Sequence, residues 1–168
     1  MAFIRKQISK ENARMRLENM CARSEHCEWE LKEKLKGWMI SPSDAEEILS
    51  ALRKARFYDD RRFASAYVRD KMMYNRWGRR KIAYGLMGKR IAREFIDEAL
   101  DAVDEQAYRE ILLDFLRSKA RAIKEGNTFE GRTRLFRAAA SRGYETELVA
   151  KYIRSAVIWP DEVAEDES

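Results

Sequence analysis

The sequence predicts an all-α protein, an elongated tandem array of three three-helix, helix-turn-helix-like repeats. Three observations predict it. Apolar positions recur as a set of four: Leu31, Leu35, Ile48 and Leu52 are echoed by Ile82, Leu86, Ile96 and Leu100, and again by Leu135, Ala139, Val149 and Ile153. Each set is two pairs at i, i+4, the helical period, and no segment sustains the period-two alternation of a half-buried strand. Between the pairs of each set lies a small or turn-forming centre: Gly37 with Ser41-Pro42-Ser43, then Gly88, then Gly143.

The spacing between sets fixes the partition. Every offset from the second set to the third is 53, whereas those from the first to the second are 51, 51, 48 and 48, which places a three-residue insertion in the turn around Met39-Ile40-Ser41. Residues 1–8 form an N-terminal segment, and the first repeat runs over 9–58. Ser41 followed by Pro42 reads as an N-cap with Pro at the first helical position, with Ser43-x-x-Glu46 as an alternative capping box one step on. The second repeat covers 59–103. Asp59-Asp60 opens it, ahead of a helix whose apolar face is expected to carry Phe63, Ala66, Tyr67, Met73 and Tyr74. The third repeat covers 104–157, with Asp104 as one cap and Asn127-x-x-Glu130 as another. Each repeat alone is too small to stabilise itself comfortably, so neighbours are expected to pack against one another. With the apolar faces spent in this way and no heptad seam left over, a monomer is expected.

Composition agrees with a folded chain. Hydrophobic residues make up 45% of the 168, charged residues 38%, and there are only seven Gly and two Pro, which excludes collagen-like and Pro/Gly-rich disordered classes. Two Cys offer no disulfide framework, the first residues turn polar at once, and no uncharged run approaches the ~20 residues that span a bilayer. A cytoplasmic protein without membrane association is expected.

The net charge of +5 hides a split. The C-terminal tail, 158–168, carries Asp161, Glu162, Glu165, Asp166 and Glu167 and no base, so residues 1–160 hold 34 basic against 24 acidic side chains. Within that body the second repeat is the most lopsided. From Arg61 to Arg93 there are eleven bases, Arg61, Arg62, Arg69, Lys71, Arg76, Arg79, Arg80, Lys81, Lys89, Arg90 and Arg93, against the single acid Asp70. Such a block raises the potential toward polyanions or acidic protein surfaces, or it is simply a solvated helix face.

Most catalytic chemistry lacks its residues. No G-x-x-x-x-G-K-[ST] cradle is present, so nucleotide hydrolysis is excluded. Cys21-x4-His26-Cys27 lacks a fourth ligand and the short Cys-Cys step of a zinc site; Cys21 reads as a small buried side chain and Cys27 as an ordinary one. Asp59-Asp60 is explained by capping and the helix dipole. The lone His26 has no nucleophilic partner nearby. A non-enzyme without cofactor, metal or catalytic residues is expected. On the helix starting at Gly78, Ile82 and Leu86 face inward, so Arg80, Lys81, Tyr84 and Met87 point outward, with Arg79 and Arg90 on the flank. Trp77 and Tyr84 are candidate stacking or interface aromatics, while Trp77 could equally plug a junction and Tyr74 is expected in the core.

Taken together, Ser24-Glu25-His26-Cys27-Glu28-Trp29-Glu30-Leu31 with Lys34-Leu35, Phe57-Tyr58-Asp59-Asp60-Arg61-Arg62-Phe63-Ala64, Gly78 leading to Ile82 and Leu86, and Ser141-Arg142-Gly143-Tyr144 resemble the RecX family over about residues 17–157. The Asp-Asp-x-Arg-Phe-Ala segment is the most specific part. The resemblance implies a regulator that binds the RecA nucleoprotein filament and restrains its ATPase, recombinase and co-protease activities, in DNA repair and the SOS response. It also implies weaker, non-specific binding to single- and double-stranded DNA, and a non-sequence-specific DNA-binding protein is the alternative. The chain departs from the family in three places. Cys27 stands where Ser or Thr is usual, so a thiol would be the cap acceptor of a weakened box with Glu30. Gly88-Lys89-Arg90-Ile91 replaces a Lys-Gly-Ile pattern. Gly85 lies inside a helix, which costs ~1 kcal/mol relative to Ala and implies close packing. His26 is read as structural.

Overall fold

Nine helices and no strand form among the described residues, 7–160 of the chain in a computed structural model. They are α1 (Lys10–Arg23), α2 (Glu28–Gly37), α3 (Pro42–Lys54), α4 (Asp60–Met73), α5 (Arg79–Gly88), α6 (Arg93–Asp101), α7 (Glu105–Ala122), α8 (Phe129–Ser141) and α9 (Thr146–Ser155). The acidic residues 161–168, like residues 1–6, lie outside the described part.

The recurring apolar positions occupy α2 and α3, then α5 and α6, then α8 and α9, one i, i+4 pair to each helix. Eleven of the twelve are buried, and Leu100 is half-buried. The offset in spacing falls between Gly37 and Pro42, outside both helices. Leu31, Leu35, Ile48 and Leu52 join Ala13 and Leu17 of α1 in one core cluster closed by Tyr58.

The turns between paired helices share one geometry. Four residues beyond the second inward residue of α2, α5 and α8 the backbone turns left-handed, at Met39 (φ 60°), Arg90 (φ 59°) and Gly143 (φ 91°). The next N–H then reaches back to the inward residue's carbonyl: Ile40 to Leu35 (3.1 Å), Ile91 to Leu86 (3.2 Å) and Tyr144 to Ala139 (3.3 Å). That closure satisfies carbonyls the helix end leaves open. Of the three glycines taken for turn centres, only Gly143 is the left-handed residue; Gly37 and Gly88 are the last residues of their helices, and bulky side chains bear the unfavourable conformation instead.

Helix starts follow the sequence with one correction. Ser41 caps α3, accepting from the Asp44 N–H at 3.2 Å, and Asp104 caps α7, accepting from the Ala107 N–H at 2.7 Å. The cap of α8 is Thr128, one residue after the expected Asn127: its hydroxyl accepts from the Gly131 N–H at 3.1 Å, while the Asn127 side chain accepts from Arg132 at 2.9 Å. The buried face of α4 is Phe63, Ala64, Val68 and Met72, while the expected Ala66 and Tyr67 are half-buried and Met73 is 54% exposed. Tyr74, expected in the core, is 84% exposed, because the helix ends at Met73 and the next residue leaves its face.

Two compact units divide the chain: Met1–Ala66 with Leu86–Asp97, and Tyr67–Gly85 with Glu98–Ser168. The division cuts α4, α5 and α6, so the middle helices supply core to both units. This is the physical outcome of repeats too small to bury their apolar faces alone. No helix among the described residues is long and apolar enough to cross a membrane.

Candidate protein and nucleic-acid interface

In the first unit, the most family-like segment is a structural clasp. Asp59 caps α4 by accepting from the Arg62 N–H (3.1 Å). Asp60 turns the other way and accepts from the Glu28 N–H at the start of α2 (2.9 Å). It takes over a duty that Cys27, the N-cap residue of α2, does not perform: Cys27 makes no side-chain cap hydrogen bond. Cys27 is fully buried and Cys21 only partly, the reverse of the expected assignment. Burial pushes the Cys27 thiol up to about 11, offset only in part by the nearby Glu30 N–H, so it is inert at neutral pH. Burial likewise raises Asp60, which the Glu28 N–H partly counteracts.

Arg62 closes the clasp, its Nε donating to both carboxylate oxygens of Glu25 at 2.7 and 2.9 Å. Phe63 and Ala64 are core. Beside it, Glu30 accepts from Lys89 Nζ (2.7 Å) and pairs with His26 Nδ1 (2.9 Å), whose Nε2 meets the Ser24 hydroxyl (3.1 Å). Burial opposes a charge on Glu30, yet the hydrogen bonds from Lys89 and His26 hold its carboxyl below the ordinary range. His26 is thus a bridging structural residue.

In the second unit, α5 is seated by its first turn. Gly78 lies so close to the end of α8 that a Cβ would stand 2.3 Å from the Gly143 carbonyl carbon and the Tyr144 nitrogen. The contact lets the Gly78 N–H donate to the Arg142 carbonyl (2.8 Å) and the Arg80 N–H to the Gly143 carbonyl (3.0 Å). The Arg79 N–H donates to Tyr108 Oη (3.2 Å). Donors that a helix N-terminus leaves open are therefore taken by another helix's spare carbonyls and a phenol. Tyr108 in turn donates to Glu145 (2.6 Å), and burial drives its phenol far above the usual range. The preceding loop is fixed the same way, with Tyr144 Oη donating to the Arg76 carbonyl (2.8 Å) and Arg142 to the Asn75 carbonyl (2.7 Å). Gly85 packs on Tyr67, where a Cβ would meet the phenol oxygen at 2.3 Å, as a glycine inside a helix implies.

These anchors sort the eleven bases. Arg62 and Lys89 belong to the clasp, and Arg79, with 21% of its side chain exposed, lies over the Tyr108 ring and pairs with Glu105 and Glu145. Arg61 stacks on Phe95, Arg69 meets Asp70 (3.4 Å) and Arg93 meets Asp97 (2.9 Å). Lys71, Arg76, Arg80, Lys81 and Arg90 have no acidic partner among the described residues. Four of them lie in the second unit, where Lys71 and Lys81 flank the half-buried Trp77 ring at 4.8 and 4.5 Å. That arrangement occupies the indole face and holds two ammonium groups beside it. Next to them on α5, Arg80 and Tyr84 point outward at i, i+4, Tyr84 being 78% exposed. Of the two candidate aromatics, Tyr84 is the exposed one, while Trp77 is half-buried beside its lysines. Arg90 lies in the first unit. Among the described residues no group of three or more His, Cys, Asp or Glu could hold a metal ion.

The fold defines an all-helical tandem-repeat protein, and Lys71 and Lys81 of its second repeat meet at the Trp77 ring. Residues 59–100 match the second three-helix domain of RecX. The chain is 30% identical over 132 residues to regulatory protein RecX of Clostridium beijerinckii, covering 77% of this chain and 61% of that one. It is 31% identical over 120 residues to regulatory protein RecX of Clostridium tetani, covering 69% and 53%. The structure of RecX from Lactobacillus salivarius superposes with a TM-score of 0.75 at 17% identity, covering 86% of this chain and 94% of that one, which speaks to the fold. Residues 59–100 are thus similar to a RecX second three-helix domain, and the chain along most of its length is similar to regulatory proteins RecX. The chain spans 61% and 53% of the length of these two Clostridium relatives.

Proposed function

We propose that the protein is a non-enzymatic regulator that binds the RecA nucleoprotein filament and restrains its ATPase, recombinase and co-protease activities, in DNA repair and the SOS response. The observation that carries this reading is the set Lys71, Arg76, Arg80 and Lys81, cations without an acidic partner among the described residues on a segment pinned by Gly78. Held cations lose little entropy on meeting an acidic groove or phosphates, and they steer association. Of the remaining sequence candidates, Arg61, Arg62, Arg79 and Lys89 act through the scaffold, Arg69 and Arg93 are exposed cations offset by an acid on their own helix, and Arg90 is a separate cation of the first unit. A cytoplasmic monomer suits this role.

The test is the ATPase rate of RecA preassembled on single-stranded DNA, titrated with the protein at fixed salt, beside a control in which the bare DNA meets the protein first. Inhibition well below one protein per RecA subunit is expected. Inhibition only on precoated DNA would replace the reading with plain competition for the DNA lattice. The exposed Tyr84 beside Arg80 favours that second reading, a non-sequence-specific DNA binder. It requires log affinity to fall by ~0.7–0.9 per log unit of salt for each phosphate neutralised.

A further inference from the structure

The three repeats carry one pair of surface positions with different charges. Aligned on the recurring apolar set, Glu28 and Arg53 of the first repeat correspond to Arg79 and Asp101 of the second and to Arg132 and Arg154 of the third. Glu28 and Arg53 form an ion pair, and Arg79 is neutralised by Glu105 and Glu145. In the third repeat both members are arginines, and neither has an acidic partner among the described residues. Their own helices supply none. Thr128, Phe129, Leu135 and Phe136 stand three and four residues from Arg132, and Ala150 and Lys151 precede Arg154 at the same spacings. The Asn127 carbonyl (3.3 Å) and side-chain oxygen (2.9 Å) orient the Arg132 guanidinium without neutralising it.

The two arginines border one groove. It lies between the first half of α8 and the second half of α9, has a volume of about 280 Å³ and contains no carboxylate in its lining. Its floor is Phe136, Ala150 and Ile153, and the Phe129 ring stands 73% exposed at its edge. The fold does not require a large apolar side chain on that floor, since Phe136 corresponds to Lys32 in the first repeat and Ala83 in the second. The volume falls just below the ~300–1,000 Å³ of pockets that enclose a small molecule, and suits a side chain presented by a peptide. An apolar floor between two unneutralised arginines is complementary to a segment that carries a carboxylate beside an apolar side chain.

We propose that the α8–α9 groove is a docking site for an acidic peptide segment of a partner protein. An aspartate or glutamate of that segment supplies the carboxylate missing between Arg132 and Arg154, and a neighbouring leucine or phenylalanine covers Phe136 and Ile153. Arginine offers a carboxylate paired N–H donors, and the Asn127 contacts already hold one of the two guanidiniums, so little side-chain freedom is lost on docking. A phosphate would neutralise the arginines and leave the floor in water. The proposal stands apart from the RecA reading and from the cations of the second repeat.

The test titrates the full-length protein with the blocked peptide acetyl-Gly-Asp-Glu-Leu-Phe-Glu-Asp-Gly-amide, followed by NMR. The Ala150 and Ile153 methyl signals and the Phe129 and Phe136 ring signals are expected to move and saturate. A peptide with Ser for Leu and Phe, and one with Asn and Gln for the acids, should each bind at least about tenfold more weakly. Arg132→Glu restores to the third repeat the charge pair of the first, and should weaken binding by at least about tenfold while leaving Tm equal or higher. Arg132→Glu with Arg154→Glu should lose the acidic peptide and gain its Lys-containing counterpart, a readout that unfolding cannot imitate. Groove signals unmoved by the acidic peptide, equal affinity of wild type and Arg132→Glu, or shifts confined to residues 80–84 would overturn the proposal. Two other occupants are read in the same way, and either overturns it. Groove signals that respond more tightly to a short oligothymidylate would assign the groove to nucleic acid, and signals that drift with protein concentration alone would assign it to a second copy of the chain.

Discussion

Met39, Arg90 and Gly143 hold equivalent turn positions, yet only the last is the residue the backbone favours. A left-handed conformation costs an L-residue roughly 1–2 kcal/mol, partly offset on substitution by the greater unfolded-state freedom of glycine. Met39→Gly, whose lost side chain is 61% exposed, is expected to stabilise the protein by about 1 kcal/mol in urea denaturation. Unchanged or lowered stability would count against the turn geometry. Gly78→Ala works in the opposite sense. A methyl 2.3 Å from two backbone atoms has nowhere to go, so a loss of about 3 kcal/mol, the upper range for overpacking, is expected in the same measurement. Glu30 supplies a prediction in pH. A carboxylate whose folded pKa lies below its unfolded ~4.3 adds stability above that value, and this stability is lost as pH falls through the folded pKa. The deficit of Glu30→Gln relative to wild type, read as Tm against pH, should be full near neutrality and shrink as pH drops below ~4.3. A constant deficit across that range would remove the contribution of the ionised Glu30 carboxylate.

At the scale of elements, the sequence-legible features are those written in local periodicity. The i, i+4 pairs located α2, α3, α5, α6, α8 and α9, and Ser41 and Asp104 announced their helices, because caps and faces depend on residues within one turn. Cross-element roles were not legible. Asp59 and Asp60 are adjacent acids at one helix start, and nothing in their spacing says that one serves α4 and the other α2. Tyr74 departs from its expected place because helical phase extrapolates past Met73, where the helix stops. The division of labour at α2 is testable. Asp60→Ala should cost about 1 kcal/mol, the typical loss of a cap, and adding Cys27→Ser should recover part of it by restoring a hydroxyl at the N-cap. If Cys27→Ser recovers nothing, Asp60 stabilises the protein through something other than the cap of α2.

At the scale of the molecule, charge was visible in the sequence but its availability was not. Eleven bases in 33 residues look alike until partners are placed; Arg79 then proves to be an anchor between Tyr108, Glu105 and Glu145, and Trp77 a spacer between two lysines. The signal that could have separated them is the set of acids in other repeats, Glu25, Glu30, Glu105 and Glu145, and their pairing is a property of the fold. The central claim is that the unpaired cations of the second repeat, and not its basic composition, carry the regulatory contact. Its most direct test is half-maximal inhibition of the RecA ATPase by two charge-reversed variants of equal thermal stability, Arg76→Glu/Arg80→Glu/Lys81→Glu and Arg69→Glu/Arg93→Glu. The first should weaken inhibition by about tenfold or more, since charge reversal opposes a complementary surface, and the second should change it far less. Equal losses in both variants would mean that net charge alone governs the interaction, and would contradict the account.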